Sequence, residues 1–362
     1  MTKVLLFTPK YPPSRGGAAT FYSNITEEQY DNTTFIVVTS LHNSRGLIEQ
    51  KNGITVYSLL PRIERLHRYI RVPLEILVLI LVSSYLILSK KIDLIHSHSS
   101  SFSVVGLSIV SVLFRTPIVN DCRDETFRPW IVKLGLTPLW FSCASNIDDI
   151  LIQNGVPKDN IKRLPVVNPD YVKEYRSTNT PDELTDLIYI GTLRKPKGIF
   201  LLADAIKILH QQGMDIDLTV VGDGPDRSKF ENKCQNNGIE DCVTLTGSLN
   251  HNDTLRRLTE SDALVLPSES EGVPRVVLEA QDVGTPAVAT AVGGIPDVID
   301  HEKTGMLTEQ TPESIAENVL RLIHDDELYR MIVESGVESA DERSWERVGG
   351  QLREGYDRAN KK

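Results

Sequence analysis

The sequence is short of cysteine, of positive charge and of long apolar runs. Only Cys122, Cys143, Cys234 and Cys242 occur in 362 residues. None forms a C-x-x-C pair, and no ligand spacing around them suggests zinc, so free thiols in a reducing compartment are expected. Lys and Arg number 39 against 49 Asp and Glu, a formal net charge of −10. An acidic chain repels phosphate backbones, which argues against a nucleic-acid partner. The N-terminus, MTKVLLFTPKYPP, lacks the apolar run and cleavage site of a signal peptide and reads as a first strand. Internal repeats and low-complexity tracts are also missing. A cytoplasmic location is expected.

What is present is an ordinary globular composition, 40% hydrophobic and 24% charged, at a length that suits two domains. The charge is uneven. Residues 1–170 carry 18 Lys and Arg against 14 Asp and Glu, and the remainder carries 21 against 35. The halves therefore present different surfaces.

Short β-branched runs alternate with helix-length stretches. KVLLFT (3–8), FIVVTS (35–40), ITVYSL (54–59), DLIHSH (93–98) and PIVNDC (117–122) fall in the first half. DLIYIG (186–191), DLTVVG (217–222), VTLTG (243–247), ALVLP (263–267) and PAVAT (286–290) fall in the second. This alternation predicts an α/β chain with two parallel sheets, each covered by helices on both faces. The polar, turn-rich stretch 168–186 reads as an interdomain linker, and 312–359 as helical.

Residues 62–91 begin with four arginines and continue into an apolar run, Ile76–Leu88. Thirteen residues are too few to span a bilayer, which takes about 20. Two readings stay open: a buried core helix, or a basic apolar patch that rests on an anionic membrane surface.

The densest chemistry lies in SESEGVPRVVLEAQDVGTPAVATAVGGIPD (268–297). Pro274 suits a helix start and Gly284 a stop. On that helix Arg275, Glu279 and Asp282 share one narrow polar line among apolar neighbours. A mostly buried glutamate needs a partner. One candidate is Arg275 at i,i+4, in the weaker orientation. The other is a pair of ligand hydroxyls, such as those of a ribose. Glu271 precedes the helix, where the backbone amides near Gly272 and Val273 favour an anion. Gly222 and Gly224 flank Asp223 after a strand, which fits a tight turn as well as a ligand contact. That segment is not G-x-G-x-x-G, so a nicotinamide site is poorly supported. His96 and His98 lie on one face of a strand. A metal site there would need further ligands that the sequence does not place, and His98 falls at the strand's C-terminal end, where open α/β sheets bind ligands.

The spacing E-x7-E from Glu271 to Glu279, with PSESEG before it and GTPAVATAVGGIPDVI and HEKTGML after it, resembles the signature of retaining glycosyltransferases of the GT-B fold, family 4. YPPSRGGAATFYSNI (11–25), YIGTLRKPKGIFLLADAI (189–206), VVGDGPDRSKFE (220–231) and RSWERVGGQLREGY (343–356) resemble further family segments in the same order. The resemblance implies two Rossmann-like domains facing an interdomain cleft: residues 1–170 on the acceptor side, residues 171–340 binding a nucleotide sugar, and a C-terminal helix, 341–362, crossing back.

The resemblance also implies roles. Glu279 holds the ribose, and Glu271 with Gly272, Val273 and Pro274 contacts the donor sugar and its phosphate. Lys197 neutralises the diphosphate. Thr192 stands where the family usually has arginine, so Arg194 would be the second cation. Gly16 and Gly17 let backbone approach the donor, and Gly222 and Asp223 lie in a nucleotide segment. Arg123 occupies a position where many relatives carry histidine. Arginine stays protonated and cannot act as a base, but it can stabilise a phosphate. A structural cluster of Arg123 with Asp124 is the competing reading. No metal or other cofactor is implied. The implied activity is retaining hexosyl transfer from a UDP- or GDP-sugar to a hydroxyl acceptor. The arginine-rich 62–71 segment beside an apolar run adds the expectation of a glycan or lipid-linked acceptor in surface polysaccharide synthesis, with the enzyme peripheral to the inner membrane face. A nucleotide-sugar epimerase and a non-catalytic partner subunit are the alternatives.

Overall fold

The computed structural model describes residues 2–12, 17–27, 33–39, 48–51, 54–59, 67–98, 103–123, 129–134, 137–177 and 184–361. It divides into two compact units, residues 1–167 with 344–362, and residues 168–343.

In the first unit the elements are β1 (Thr2–Thr8), α1 (Gly17–Glu27), β2 (Thr33–Thr39), β3 (Ile48–Lys51), β4 (Ile54–Ser58), α2 (Arg68–Lys90), β5 (Leu94–His98), α3 (Ser103–Phe114), β6 (Ile118–Cys122), β7 (Leu139–Ser142), α4 (Ser145–Gln153), β8 (Ile161–Arg163) and, from the chain's end, α11 (Trp345–Asn360). The sheet runs β3-β4-β2-β1-β5-β6-β7-β8 and is parallel except for the β3–β4 edge. Its central strands are apolar on both faces, as a sheet covered by helices requires. Val4, Leu5, Leu6 and Phe7 of β1 are all buried, for example. One face packs on α2 and α3. The other packs on α1 and α11, where Trp345, Val348, Leu352 and Tyr356 join Val119, Leu139 and Phe141.

The second unit comprises β9 (Asp186–Ile190), α5 (Ile199–Gln211), β10 (Asp217–Val221), α6 (Arg227–Asn237), β11 (Val243–Gly247), α7 (His251–Glu260), β12 (Ala263–Leu266), α8 (Arg275–Val283), β13 (Ala287–Thr290), β14 (Met306–Thr308), α9 (Pro312–His324) and α10 (Asp326–Glu342). Its sheet is wholly parallel, in the order β11-β10-β9-β12-β13-β14. The chain starts at β9, builds outward through β10 and β11, then returns to place β12 on β9's other side. The strand order therefore reverses between β9 and β12, and open α/β sheets bind ligands at the carboxyl ends of such a pair.

Three expectations change. Every expected strand is present, but β3, β7, β8 and β14 are additional; none exceeds four residues. Residues 168–177 are not a free linker: Val172 is fully buried, and Ser177 N–H donates to the Val283 carbonyl at 2.8 Å. The apolar run of 62–91 extends into a 23-residue helix, α2, which is neither wholly buried nor confined to thirteen residues. Leu79, Ser83, Leu86 and Ile87 face the core, whereas Leu77, Leu81, Tyr85 and Leu88 are exposed.

Candidate functional site

Three loops meet at the carboxyl edge of the second sheet. Residues 191–198 follow β9, residues 267–274 follow β12, and residues 291–294 follow β13. The middle loop is fixed from both sides. Glu269 N–H donates to the Pro196 carbonyl at 2.9 Å, and Gly294 N–H donates to the Gly272 carbonyl at 2.9 Å. The Thr290 hydroxyl donates to the Ser268 carbonyl at 2.5 Å, and the Gln310 amide to the Glu269 carbonyl at 3.0 Å. Gly293 has φ +55°, and a Cβ there would lie 1.7 Å from the Glu271 carbonyl oxygen. The Gly-Gly pair thus lets one backbone lie directly against the loop that carries Glu271.

Lys197 and Glu271 bridge the switch point. Lys197 Nζ lies 2.5 Å from Glu271 Oε1, and the Ser268 hydroxyl donates to the same oxygen at 2.8 Å. Glu271 is mostly buried, and Lys197 is one-third exposed. Tyr189 of β9 lies below the pair. Burial, and secondarily the Glu271 charge, pushes its hydroxyl above the usual tyrosine range.

Eight residues further on, Glu279 is buried on α8, as are Gln281 and Asp282. Of the two partners weighed for Glu279, the Arg275 one is present but long, 3.7 Å to Oε1. Closer is His251, the first residue of α7, whose Nε2 lies 3.0 Å from Oε1. Its Nδ1 lies 2.5 Å from the Tyr171 hydroxyl. In the neutral ring Nε2–H donates to the carboxylate and Nδ1 accepts from Tyr171, which fixes the tautomer. Neither His251 nor Tyr171 was legible beforehand, since both lie outside the E-x7-E stretch. Asp282 accepts from Asn168 Nδ2 at 2.7 Å, and burial raises its pKa despite that bond. The polar line on α8 thus serves two purposes, Glu279 toward α7 and Asp282 toward the chain entering the unit.

Both glutamates have the same arrangement. Their contacts with described residues all engage Oε1, so Oε2 of each keeps its acceptor capacity. Helix ends add to this. α7, α9 and α10 are capped by Asn250, Thr311 and Asp325 side chains. α5, α6 and α8, which follow β9, β10 and β12, have no side-chain cap. Their first N–H groups point out from the carboxyl edge, a disposition that favours anions.

The remaining residues of the second unit divide. Pro274 is the residue before α8 rather than its first turn, with Gly272 and Val273 ahead of it in the same loop. Arg194 is exposed and lies near Asp226, and its backbone carbonyl accepts from the Lys197 N–H at 2.9 Å. Gly222 has φ +144°, and a Cβ there would meet the Gly191 carbonyl at 1.9 Å. Asp223 Oδ1 accepts from the Gly224 N–H at 2.7 Å, so this carboxylate braces the turn.

The first unit has its own polar cluster at the ends of β5 and β6. His96 and His98 do share a face, both within 6 Å of the Tyr22 ring centroid. His96 is an interior residue, with Nδ1 2.7 Å from the Tyr356 hydroxyl and Nε2 3.4 Å from Asp121 Oδ2. His98 lies at the strand's end, its Nδ1 3.5 Å from the Thr8 hydroxyl. Arg123 Nε lies 2.9 Å from Asp121 Oδ1 and 3.0 Å from Oδ2, and its guanidinium carbon stands 3.4 Å over the Phe21 ring. The described partner of Arg123 is therefore Asp121; Asp124 lies outside the described residues, as does Gly16. Gly17 opens α1. Burial would raise the Asp121 pKa, but the Arg123 charge and the His96 hydrogen bond outweigh it and hold the carboxylate well below its usual range. Arg123 Nη1 and Nη2 are buried without a hydrogen-bond partner among the described residues. Among the described residues no group of three or more His, Cys, Asp or Glu could hold a metal ion.

Residues 172–338, which include Lys197, Glu271 and Glu279, match the family model for glycosyl transferases group 1. An uncharacterized glycosyltransferase of Methanocaldococcus jannaschii is 28% identical over 284 residues, covering 76% of this chain and 78% of that protein. The amylovoran biosynthesis glycosyltransferase AmsK of Erwinia amylovora is 32% identical over 143 residues, 38% of this chain and 35% of its own length. Among solved structures, Anabaena HepE in complex with UDP and glucose superposes with a TM-score of 0.74 at 20% identity, covering 99% of this chain and all of that one. The sucrose-phosphate synthase of Thermosynechococcus elongatus gives 0.77 at 19%, covering 99% and 98%. These structural likenesses establish the fold as that of the GT-B glycosyltransferases.

Proposed function

We propose that the chain is a group 1 glycosyltransferase that transfers a hexosyl unit, with retention of anomeric configuration, from a nucleotide-diphosphate sugar to a hydroxyl of a glycan or lipid-linked glycan in surface polysaccharide synthesis. The observation that carries this is the Lys197–Glu271 pair across the switch point, with Glu279 one short helix away.

The donor's diphosphate sits at the uncapped starts of α5 and α8, with Lys197 as its cation. Arg194 is exposed on the same loop and turns toward the diphosphate when donor is bound. Glu279 Oε2 accepts from the ribose hydroxyls, and Glu271 Oε2 from a hydroxyl of the transferred sugar. In the transfer step the bond from the anomeric carbon to the phosphate oxygen breaks, and its electron pair stays on the phosphate. The acceptor oxygen bonds the same face of the sugar, and its proton passes to the departing phosphate. Lys197 and the helix ends stabilise the charge that develops there. Arg123, His98 and their neighbours in the first unit serve the acceptor side, where the unpaired guanidinium nitrogens suit a substrate oxygen.

The HepE complex with UDP and glucose makes UDP-glucose the first donor to test, and the AmsK relative supports a polysaccharide product. A thermal-shift panel of UDP- and GDP-sugars tests the reading. A donor at 100 times its Kd stabilises the folded state by about 2.7 kcal/mol. No shift with any nucleoside diphosphate or its sugars would remove the donor assignment. Epimerisation of free donor, with no transfer to any acceptor, would replace the reading with the epimerase one.

A further inference from the structure

We propose that the outer face of α2 and α3 is a docking surface for an anionic lipid bilayer, on which the protein lies without crossing it. α2 and α3 are neighbouring, parallel crossover helices over one face of the first sheet. Their inner sides belong to a single core, in which Leu79, Leu86 and Ile87 meet Leu107 and Val110 over Leu5, Val38, Ile95 and Ile118. Their outer sides are apolar as well. On α2, Ile70, Leu77, Leu81, Tyr85 and Leu88 are 52–68% exposed. At 100° per residue these fall in one stripe less than a quarter-turn wide, about 27 Å long at 1.5 Å per residue. On α3, Ile109, Val112 and Leu113 extend the surface sideways, at 48–67% exposure. Water-facing helix surfaces are ordinarily polar, and contiguous exposed apolar surface on this scale marks an interaction site.

The span Tyr69–Lys90 is long and apolar enough to cross a bilayer by length and composition. Its inner face argues against crossing, because a helix that completes the core of a sheet cannot leave it. Such a helix can lie in the interfacial plane with its outer stripe among acyl chains.

Charge selects the occupant. Lys90 and Lys91 end α2, and Arg115 ends α3 at the same edge of the unit. Lys3 is there too, its Nζ donating to the Lys90 carbonyl at 3.1 Å, with exposed Asp93 the acid beside it. At the other end of α2, Arg71 lies 3.6 Å from Glu75, the acidic residue of the helix. A second copy of this chain seated with its α2 parallel to the first would oppose the Lys90, Lys91 and Arg115 ends of both copies. Anionic headgroups complement the Lys90, Lys91 and Arg115 end, at about 1 kcal/mol per basic residue near the surface. Tyr69 and Tyr85, both more than 60% exposed, suit the headgroup layer.

The test is flotation of the full chain with phosphatidylcholine vesicles, with and without 30% phosphatidylglycerol, in the absence of any donor, so that it stands apart from the catalytic reading. The protein is expected to float with the anionic vesicles and to lose at least tenfold in partitioning as Leu77→Glu/Leu81→Glu. Both side chains are solvent-facing, and unchanged thermal unfolding of this variant confirms its fold. Lys90→Gln/Lys91→Gln/Arg115→Gln is expected to abolish the preference for anionic lipid. Protein that stays at the bottom of the gradient with both vesicles overturns the proposal. So does binding that survives the double glutamate variant. A dimer in sedimentation velocity that dissociates in that variant would assign the face to self-association instead.

Discussion

His251 Nε2 lies 3.0 Å from Glu279 Oε1, and the contact joins the start of α7 to the middle of α8. It anchors one carboxylate oxygen and leaves the other aimed by the anchored one. Glu279→Ala is expected to lower nucleoside-diphosphate affinity at least tenfold by calorimetry, about 1.4 kcal/mol. His251→Ala should lower it less, and His251→Gln, which keeps a donor, should restore part of the loss. A 2′,3′-dideoxyribose analogue separates positioning from general damage. The wild-type preference for the hydroxylated ligand should collapse in His251→Ala; an unchanged preference would show that His251 does not position Glu279.

Lys197 Nζ lies 2.5 Å from Glu271 Oε1, and the proposed chemistry transfers that cation to the diphosphate. Lys197→Ala is expected to reduce turnover by more than tenfold, the order of effect when a charge contact is lost in a closed site. Steady-state kinetics with the donor identified by thermal shift measure it. Turnover within twofold of wild type would take Lys197 out of the reaction.

Two glycines should respond oppositely to the same substitution. Gly222→Ala places a Cβ 1.9 Å from the Gly191 carbonyl at φ +144°, where neither backbone can give way. A loss of several kcal/mol, or failure to fold, is expected. Gly350→Ala, inside α11 with nothing within 4 Å of its Cβ, should stabilise by about 0.5–1 kcal/mol from helix propensity. Urea unfolding of both variants checks the pair.

Asp121 sets an acid limit on the first unit. Its pKa is held well below the usual range by Arg123 and His96, despite burial. A depressed aspartate adds stability above its unfolded value, about 3.9, and gives it up as pH falls toward the folded value. Asp121→Asn should therefore be less stable than wild type at pH 7, by about 3–5 kcal/mol because Arg123 loses its charge partner. The gap should narrow as pH drops below 4. Urea midpoints at pH 3 and pH 7 test this, and a gap independent of pH would contradict it.

Much of the site was legible because its residues carry constraints that need no neighbours to be read. The helix from Arg275 to Val283 was visible in its bounding Pro274 and Gly284, and its polar line followed from the 3.6-residue period. The parallel sheets were visible because strands buried on both faces read as continuous apolar runs. The four added strands are three or four residues long, too short for such a run. What stayed hidden is pairing at a distance. Arg123 was weighed against Asp124, its sequence neighbour, which lies outside the described residues; the carboxylate described beside it is Asp121, at the end of β6. For Glu279 the sequence offered Arg275, one turn away, or a ligand's hydroxyls, whereas the closer protein partner comes from the start of another helix.

By itself the sequence determined the α/β class, the two families of strands, the loops that carry Glu271 and Lys197, and the glycines between them, because backbone propensity, hydrophobic period and permissive φ are local properties. Only the tertiary structure decided that β12 returns beside β9, which brings Lys197 to Glu271 from 74 positions away. It alone decided that α2 turns the stripe of Leu77, Leu81, Tyr85 and Leu88 outward. Both follow from packing, since which face of an element is covered depends on what the rest of the chain lays against it.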